Sequence, residues 1–127
     1  MEWMEFKQNN NKSITQEKFN QKKIKYWKKG LQMGDDHCSF ELAMHYDEDN
    51  LPEYEKYCVE YGNRGYSIGF QFISSYYYHL SYGFIIDDEK GEKYLQLALK
   101  YAIMGASLKN NCCKIMFQKI NEYLTTI

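Results

Sequence analysis

Apolar side chains along this chain recur at intervals of three and four residues, and alternation by two is scarce. With a single proline in 127 residues, the pattern predicts an all-helical protein. Ser13-Ile-Thr-Gln16 has the form of a capping box and predicts the start of a first helix. That helix is expected to carry Phe19, Ile24, Trp27 and Leu31 towards the core and to stop near Gly34, where a left-handed cap suits glycine. Residues 1–12, ending in the polar run Gln8–Lys12, read as a flexible segment ahead of one helical domain over 13–127.

A second helix is expected over Asp36–Tyr46, opened by the Asp35-Asp36 pair at the positive end of its dipole. Asp47-Glu-Asp-Asn50 reads as a turn, and Pro52 suits the first turn of a third helix carrying Tyr54, Tyr57, Cys58 and Tyr61. The fourth, Ser67–Ser81, is apolar on several sides through Phe70, Phe72, Ile73, Tyr76 and Tyr77, so a central, buried position is expected. Tyr82–Asp88 connects to a fifth helix over Glu89–Met104, ending at Gly105, and a sixth starts at Ser107.

Internal periodicity changes this picture. Aligned on Gly34, Gly65 and Gly105, the chain places Tyr26, Tyr57 and Leu97 eight positions before each glycine. Cys38, Gly69 and Lys109 follow four positions after it, Leu42, Ile73 and Cys113 eight after, and Tyr46, Tyr77 and Phe117 twelve after. Rows spaced by four lie along one helix face, and small residues among them let two helices approach closely. One hairpin cannot bury such a stripe, whereas stacked hairpins can.

Tyr26–Gly34 followed by Cys38–Tyr46 resembles the Sel-one-like repeat family, relatives of the tetratricopeptide repeats. The family phrase is an aromatic pair, a small-residue pair and glycine, then A-x-x-x-L-G-x-x-Y. Tyr57–Gly65 with Gly69–Tyr77 matches less well, and Leu97–Gly105 keeps only the first half, since Lys109, Cys113 and Lys114 leave the pattern. The usual connector is missing between Tyr46 and Tyr57, and Gly83–Asp88 is only loosely similar to it. The resemblance spans about residues 20–120 and implies a short, right-handed α/α solenoid of about three antiparallel helix pairs. It also implies a non-enzymatic protein–protein interaction scaffold that binds a polypeptide through its groove or end surface. A generic helical-hairpin protein is the competing reading. So short an array leaves its ends bare and open to self-association.

Net charge is −1, unevenly spread: residues 1–34 hold eight Lys against three Glu, and residues 35–62 hold nine acids against Lys56. Lys18, Lys22, Lys25 and Lys29 form one helical stripe roughly opposite Ile24, Trp27 and Leu31. Such a stripe could neutralise phosphates, so the alternative function is a small nucleic-acid-associated protein; a solvated face is the plainer account. A single Arg argues against base-edge readout. No apolar run approaches the roughly 20 residues of a bilayer span. The first residues lack a signal-peptide layout, so a cytoplasmic chain with reduced cysteines is expected.

By the repeat alignment, Glu41 corresponds to Phe72 and His45 to Tyr76, with His79 one turn beyond; these five are the candidate partner-binding residues. Aromatic anchors supply much contact area at low entropy cost, although the same rings would serve equally as core. His37, Cys38, His45 and Cys112-Cys113 lack zinc-ligand spacing. Asp47-x-Asp49 fails as a calcium loop because Leu51 and Pro52 follow. No P-loop, G-x-G-x-x-G or G-x-S-x-G is present, so no cofactor, metal or catalytic residue is assigned.

Overall fold

The computed structural model describes residues 2–82 and 89–126, which form six α-helices and no strand among them. In chain order these are α1 (Glu2–Gln32), α2 (His37–Tyr46), α3 (Leu51–Asn63), α4 (Ile68–Ser81), α5 (Glu89–Ser107) and α6 (Asn111–Thr126). The acidic segment Asp47–Asn50 is a single 3₁₀ turn between α2 and α3. Most of the expected connector, residues 83–88, lies outside the described residues.

Local chemistry accounts for most helix ends. Asp35 accepts a hydrogen bond from the His37 backbone N–H at the start of α2, and Ser39 Oγ donates to the Asp36 carbonyl. Asn50 caps α3 by accepting from the Glu53 N–H, with Pro52 in the first turn. Asn110 caps α6, its Oδ1 accepting from the Cys113 N–H at 2.9 Å.

Two boundaries differ from the sequence expectation. α1 runs through Ser13 instead of opening there, because Glu2–Lys12 contains neither Gly nor Pro to break a helix. A capping box acts only where the preceding chain leaves the helical conformation. α5 likewise runs through Gly105 to Ser107, and the sixth helix begins at Asn111 rather than Ser107. The left-handed residue in that turn is Lys109, at φ 67°.

The core gathers Leu42, Cys58, Ile73, Cys113 and Ile120 with the rings of Tyr57, Phe70, Tyr77 and Tyr101. α4 is central, packing on α3, α5 and α6. Its Phe70, Ile73 and Tyr77 are buried, while Phe72 and Tyr76 stay partly exposed. Burying a Leu- or Phe-sized side chain is worth about 1.5–3 kcal/mol, so this cluster dominates the stability.

At the other extreme α1 packs on α2 alone among the neighbours with substantial contact. At 1.5 Å per residue, the 31 residues of α1 span about 46 Å against about 15 Å for the 10 of α2. Ile24, Trp27 and Leu31 pack against the core as expected. Phe19 does not; it is exposed, because it lies on the face of α1 that carries Tyr26 and not on the face of Ile24, Trp27 and Leu31.

Candidate functional site

Three turns share one hydrogen-bond pattern. The Gly34 N–H bonds to the Leu31 carbonyl and the Asp35 N–H to that of Gly30. Gly65 and Tyr66 repeat these bonds to Gly62 and Tyr61, and Lys109 and Asn110 repeat them to Ala106 and Gly105. In each case a residue of positive φ ends the preceding helix: Gly34 at 93°, Gly65 at 104° and Lys109 at 67°. The third turn therefore aligns on Lys109, four residues beyond the glycine chosen from the sequence. Gly105 occupies the place of Gly30 and Tyr61.

Gly105 serves a different purpose. A Cβ there would overlap Cys113 Sγ and stand 3.2 Å from Phe70 Cβ. A Cβ on Gly30 would overlap Cys38 Sγ in the same manner. Between α3 and α4 the roles reverse: Tyr61 stands on the first helix and Gly69 on the second, where a Cβ would run into the Cys58 carbonyl and come 2.8 Å from the Gly62 nitrogen. Gly62 of α3 makes room at the same crossing for the Phe70 ring of α4, so the α3–α4 crossing has a glycine on each helix, whereas Gly30 and Gly105 lie on the first helix of theirs. A residue-by-residue alignment cannot see this exchange.

Four positions before Gly30, Tyr61 and Gly105 stand Tyr26, Tyr57 and Tyr101. Tyr57 is 3% exposed and stacks at 5.9 Å on Tyr46 of α2. Tyr101 is 6% exposed and stacks on Phe70 and Tyr77 of α4, at 6.4 and 6.2 Å. Tyr26 is 73% exposed. It belongs to a stripe at seven-residue intervals with Phe19 and Met33, which are 53% and 78% exposed.

Polar side chains among the described residues gather in small clusters, in which the buried Glu60 Oε2 alone lacks a hydrogen bond and lies 3.8 Å from the Arg64 guanidinium. Tyr77 of α4 and Tyr101 of α5 donate their hydroxyl protons to the two carboxylate oxygens of Glu55 on α3. Burial first, and then the Glu55 hydrogen bonds, raises both phenols well above the ordinary tyrosine value. Elsewhere, His37 Nδ1 meets the Tyr61 hydroxyl at 2.9 Å, and Tyr66 stacks on Tyr61 at 4.6 Å. Arg64 pairs with Asp36 at 2.6 Å on the same side of α3. Sequence reasoning missed the Glu55 knot, since nothing in one sequence ties residues 55, 77 and 101 together.

Three of the four thiols are buried. Burial pushes Cys58 up to about 12 and Cys113 up to about 11, and burial with Asp35 raises Cys38. A thiol so placed is not a thiolate near neutral pH. Among the described residues no group of three or more His, Cys, Asp or Glu side chains is placed to hold a metal ion. No helix among them is long and apolar enough to cross a membrane.

The residues singled out from the sequence fall on two surfaces. Phe72 is half-buried beside Phe40 of α2 at 5.9 Å, and Tyr76 meets Tyr54 of α3 edge-on at 5.7 Å. His45 is half-buried between Trp27 and Tyr46, at 6.0 and 5.4 Å. Glu41 and His79 are exposed, and His79 Nδ1 donates to the Ser75 carbonyl one turn back. Lys18, Lys22, Lys25 and Lys29 are all exposed along α1, and none enters an ion pair among the described residues. Compared with protein-family models, curated proteins and solved structures, the chain finds no match.

Proposed function

We propose that this chain is a non-enzymatic polypeptide-docking module, built as a short right-handed stack of helix pairs of the Sel-one-like type. Three turns with the same hydrogen bonds, each joining two helices that cross closely at glycine, support the stacked-pair reading. The observation that carries the docking role is Tyr26, which lies bare where Tyr57 and Tyr101 are covered by a neighbouring helix. A stack that leaves such a ring in water offers a further helix a ready seat. The half-buried Phe72 and Tyr76, together with the sequence-chosen Glu41, His45 and His79, are the candidate residues of a second surface for an extended or helical partner. No cofactor enters this reading, and the four unpaired cysteines suit a reducing compartment.

The test immobilises the chain and identifies what it retains from its native source by mass spectrometry. Phe72→Ser/Tyr76→Ser and Tyr26→Ser are run in parallel, with helical content followed by circular dichroism. The expected outcome is a defined polypeptide held by the parent chain and lost from one of the two variants at unchanged helicity. Equal retention by all three chains would remove the docking role. Collapse of helicity in the Phe72/Tyr76 variant would mark those rings as core and leave the α1 face as the remaining surface.

A further inference from the structure

We infer that the Phe19–Tyr26–Met33 stripe of α1 receives an acidic amphipathic helix from a partner protein, bearing two aromatic rings seven residues apart. This inference rests on the docking-module reading and names the partner's chemistry.

The template is internal. With Gly30 and Gly105 in equivalent places, Phe19 and Tyr26 correspond to Tyr94 and Tyr101 of α5, and Met33 to Leu108, which is exposed in the turn after α5. On α5 that stripe grips α4: Tyr77 stacks on Tyr94 at 5.9 Å and on Tyr101 at 6.2 Å, and Phe70, seven residues before Tyr77, stacks on Tyr101 at 6.4 Å. The contacts pair residue 70 with 101 and 105, and residue 77 with 101 and 94, so α4 runs opposite to α5. α1 displays the same aromatic spacing with no helix upon it among the described residues. An antiparallel helix shaped like α4 fits it.

Charge says how that helix must differ from α4. The α5 residues flanking the stripe are Leu97 and Met104, partly buried against the core. Their counterparts on α1 are Lys22 and Lys29, both exposed. Further out, Lys18 and Lys25 match Lys93 and Lys100, all four of them exposed. A helix seated on Tyr26 would cover the two inner ammonium groups, and covered charges require opposite charges beside them. Between residues 15 and 32 α1 carries six Lys and one Glu, so it repels a second α1 and attracts a carboxylate-flanked helix. Lys23 already lies over the Phe19 ring, 4.5 Å from its centroid, adding positive charge at the stripe's far end.

The experiment uses the full chain and a synthetic amphipathic peptide with Phe and Tyr seven residues apart, flanked by glutamates. Binding is read by fluorescence anisotropy at low and moderate salt. A lysine-flanked peptide, a peptide with both rings replaced by alanine, single-stranded RNA and duplex DNA serve as comparators. The acidic aromatic peptide is expected to bind best, and Tyr26→Ser to weaken it by about tenfold or more, the loss typical of a central aromatic anchor. Lys22→Glu/Lys29→Glu is expected to reverse the preference between the acidic and lysine-flanked peptides. Both variants alter exposed side chains, and circular dichroism checks that they fold.

Several outcomes would overturn the inference. Nucleic acid bound more tightly than the peptide, lost with the lysine reversal and indifferent to Tyr26→Ser, would assign the face to a phosphate backbone. A concentration-dependent dimer abolished by Tyr26→Ser would assign it to a second copy. Peptide binding abolished by Phe72→Ser/Tyr76→Ser and kept by Tyr26→Ser would sink this inference while leaving the docking module standing. Absence of peptide binding, together with equal retention by all chains in the native-source experiment, would remove both.

Discussion

Tyr26 and Tyr101 are the same residue at the same distance from the same kind of turn, yet one is in water and the other in the core. The difference lies outside either helix: α4 lies across Tyr101, and nothing among the described residues lies across Tyr26. Burial is therefore a property of the neighbour as much as of the sequence. Under the docking proposal, the closed α4–α5 interface is the template for the open α1 face.

The largest test of that contrast removes each ring in turn. Tyr101→Ala is expected to destabilise the fold by about 3–5 kcal/mol, as for other large buried rings, and it also takes one donor from Glu55. Tyr26→Ala is expected to stay within about 0.5 kcal/mol of the parent, as exposed substitutions usually do. Urea denaturation measures both, and comparable losses would break the contrast.

Next come the close crossings. Gly105→Ala forces a Cβ against Cys113 and Phe70, and overpacking of this kind costs about 1–3 kcal/mol. Gly30→Ala, at the open end, meets chiefly the thiol of Cys38, so its cost is expected to be less than half as large in the same assay. A comparable effect is expected at the cap of α6. Asn110 accepts from the Cys113 N–H and donates to Ser67 Oγ and Gln71 Oε1, both at 3.1 Å. Asn110→Ala should cost about 1–2 kcal/mol, seen as a lowered Tm.

Alkali discriminates between the two regions as well. Tyr77 and Tyr101 hold their protons more tightly folded than unfolded, because the interior and Glu55 disfavour the phenolate. Their contribution is fully present below the ordinary tyrosine value of about 10 and is lost as pH rises towards the folded values. Tyr78, pushed up to about 12 by its hydrogen bond with Tyr82 and by burial, acts in the same direction. Stability is thus expected to fall as pH rises past 10, and Tyr101→Phe should flatten that fall; an unchanged slope would dissociate the knot from it. The smallest effect concerns the turns: Lys109→Gly should stabilise by about 0.5–1 kcal/mol by relieving a left-handed side-chain-bearing residue.

Much of the helix layout could be read in the residues. Pro52, the Asp35-Asp36 pair and the apolar periodicity located α2, α3 and α4 to within a residue or two, because caps and amphipathic spacing are local signals. Gly105 misled for a physical reason. Glycine answers equally to a left-handed backbone and to a close crossing, and only the presence of Cys113 and Phe70 against it tells which applies. Ser13 misled because a cap works only if the helix stops before it.

By itself, then, the order of residues determined six helical segments, the polarity of their faces and the basic character of α1. Tertiary structure alone decided that Phe19 and Tyr26 lie bare while Tyr57 and Tyr101 are covered, and that Glu55 joins two tyrosines from two other helices. Helix propensity and capping act within a few residues of chain, whereas burial and hydrogen-bond partnership depend on which segments meet across dozens.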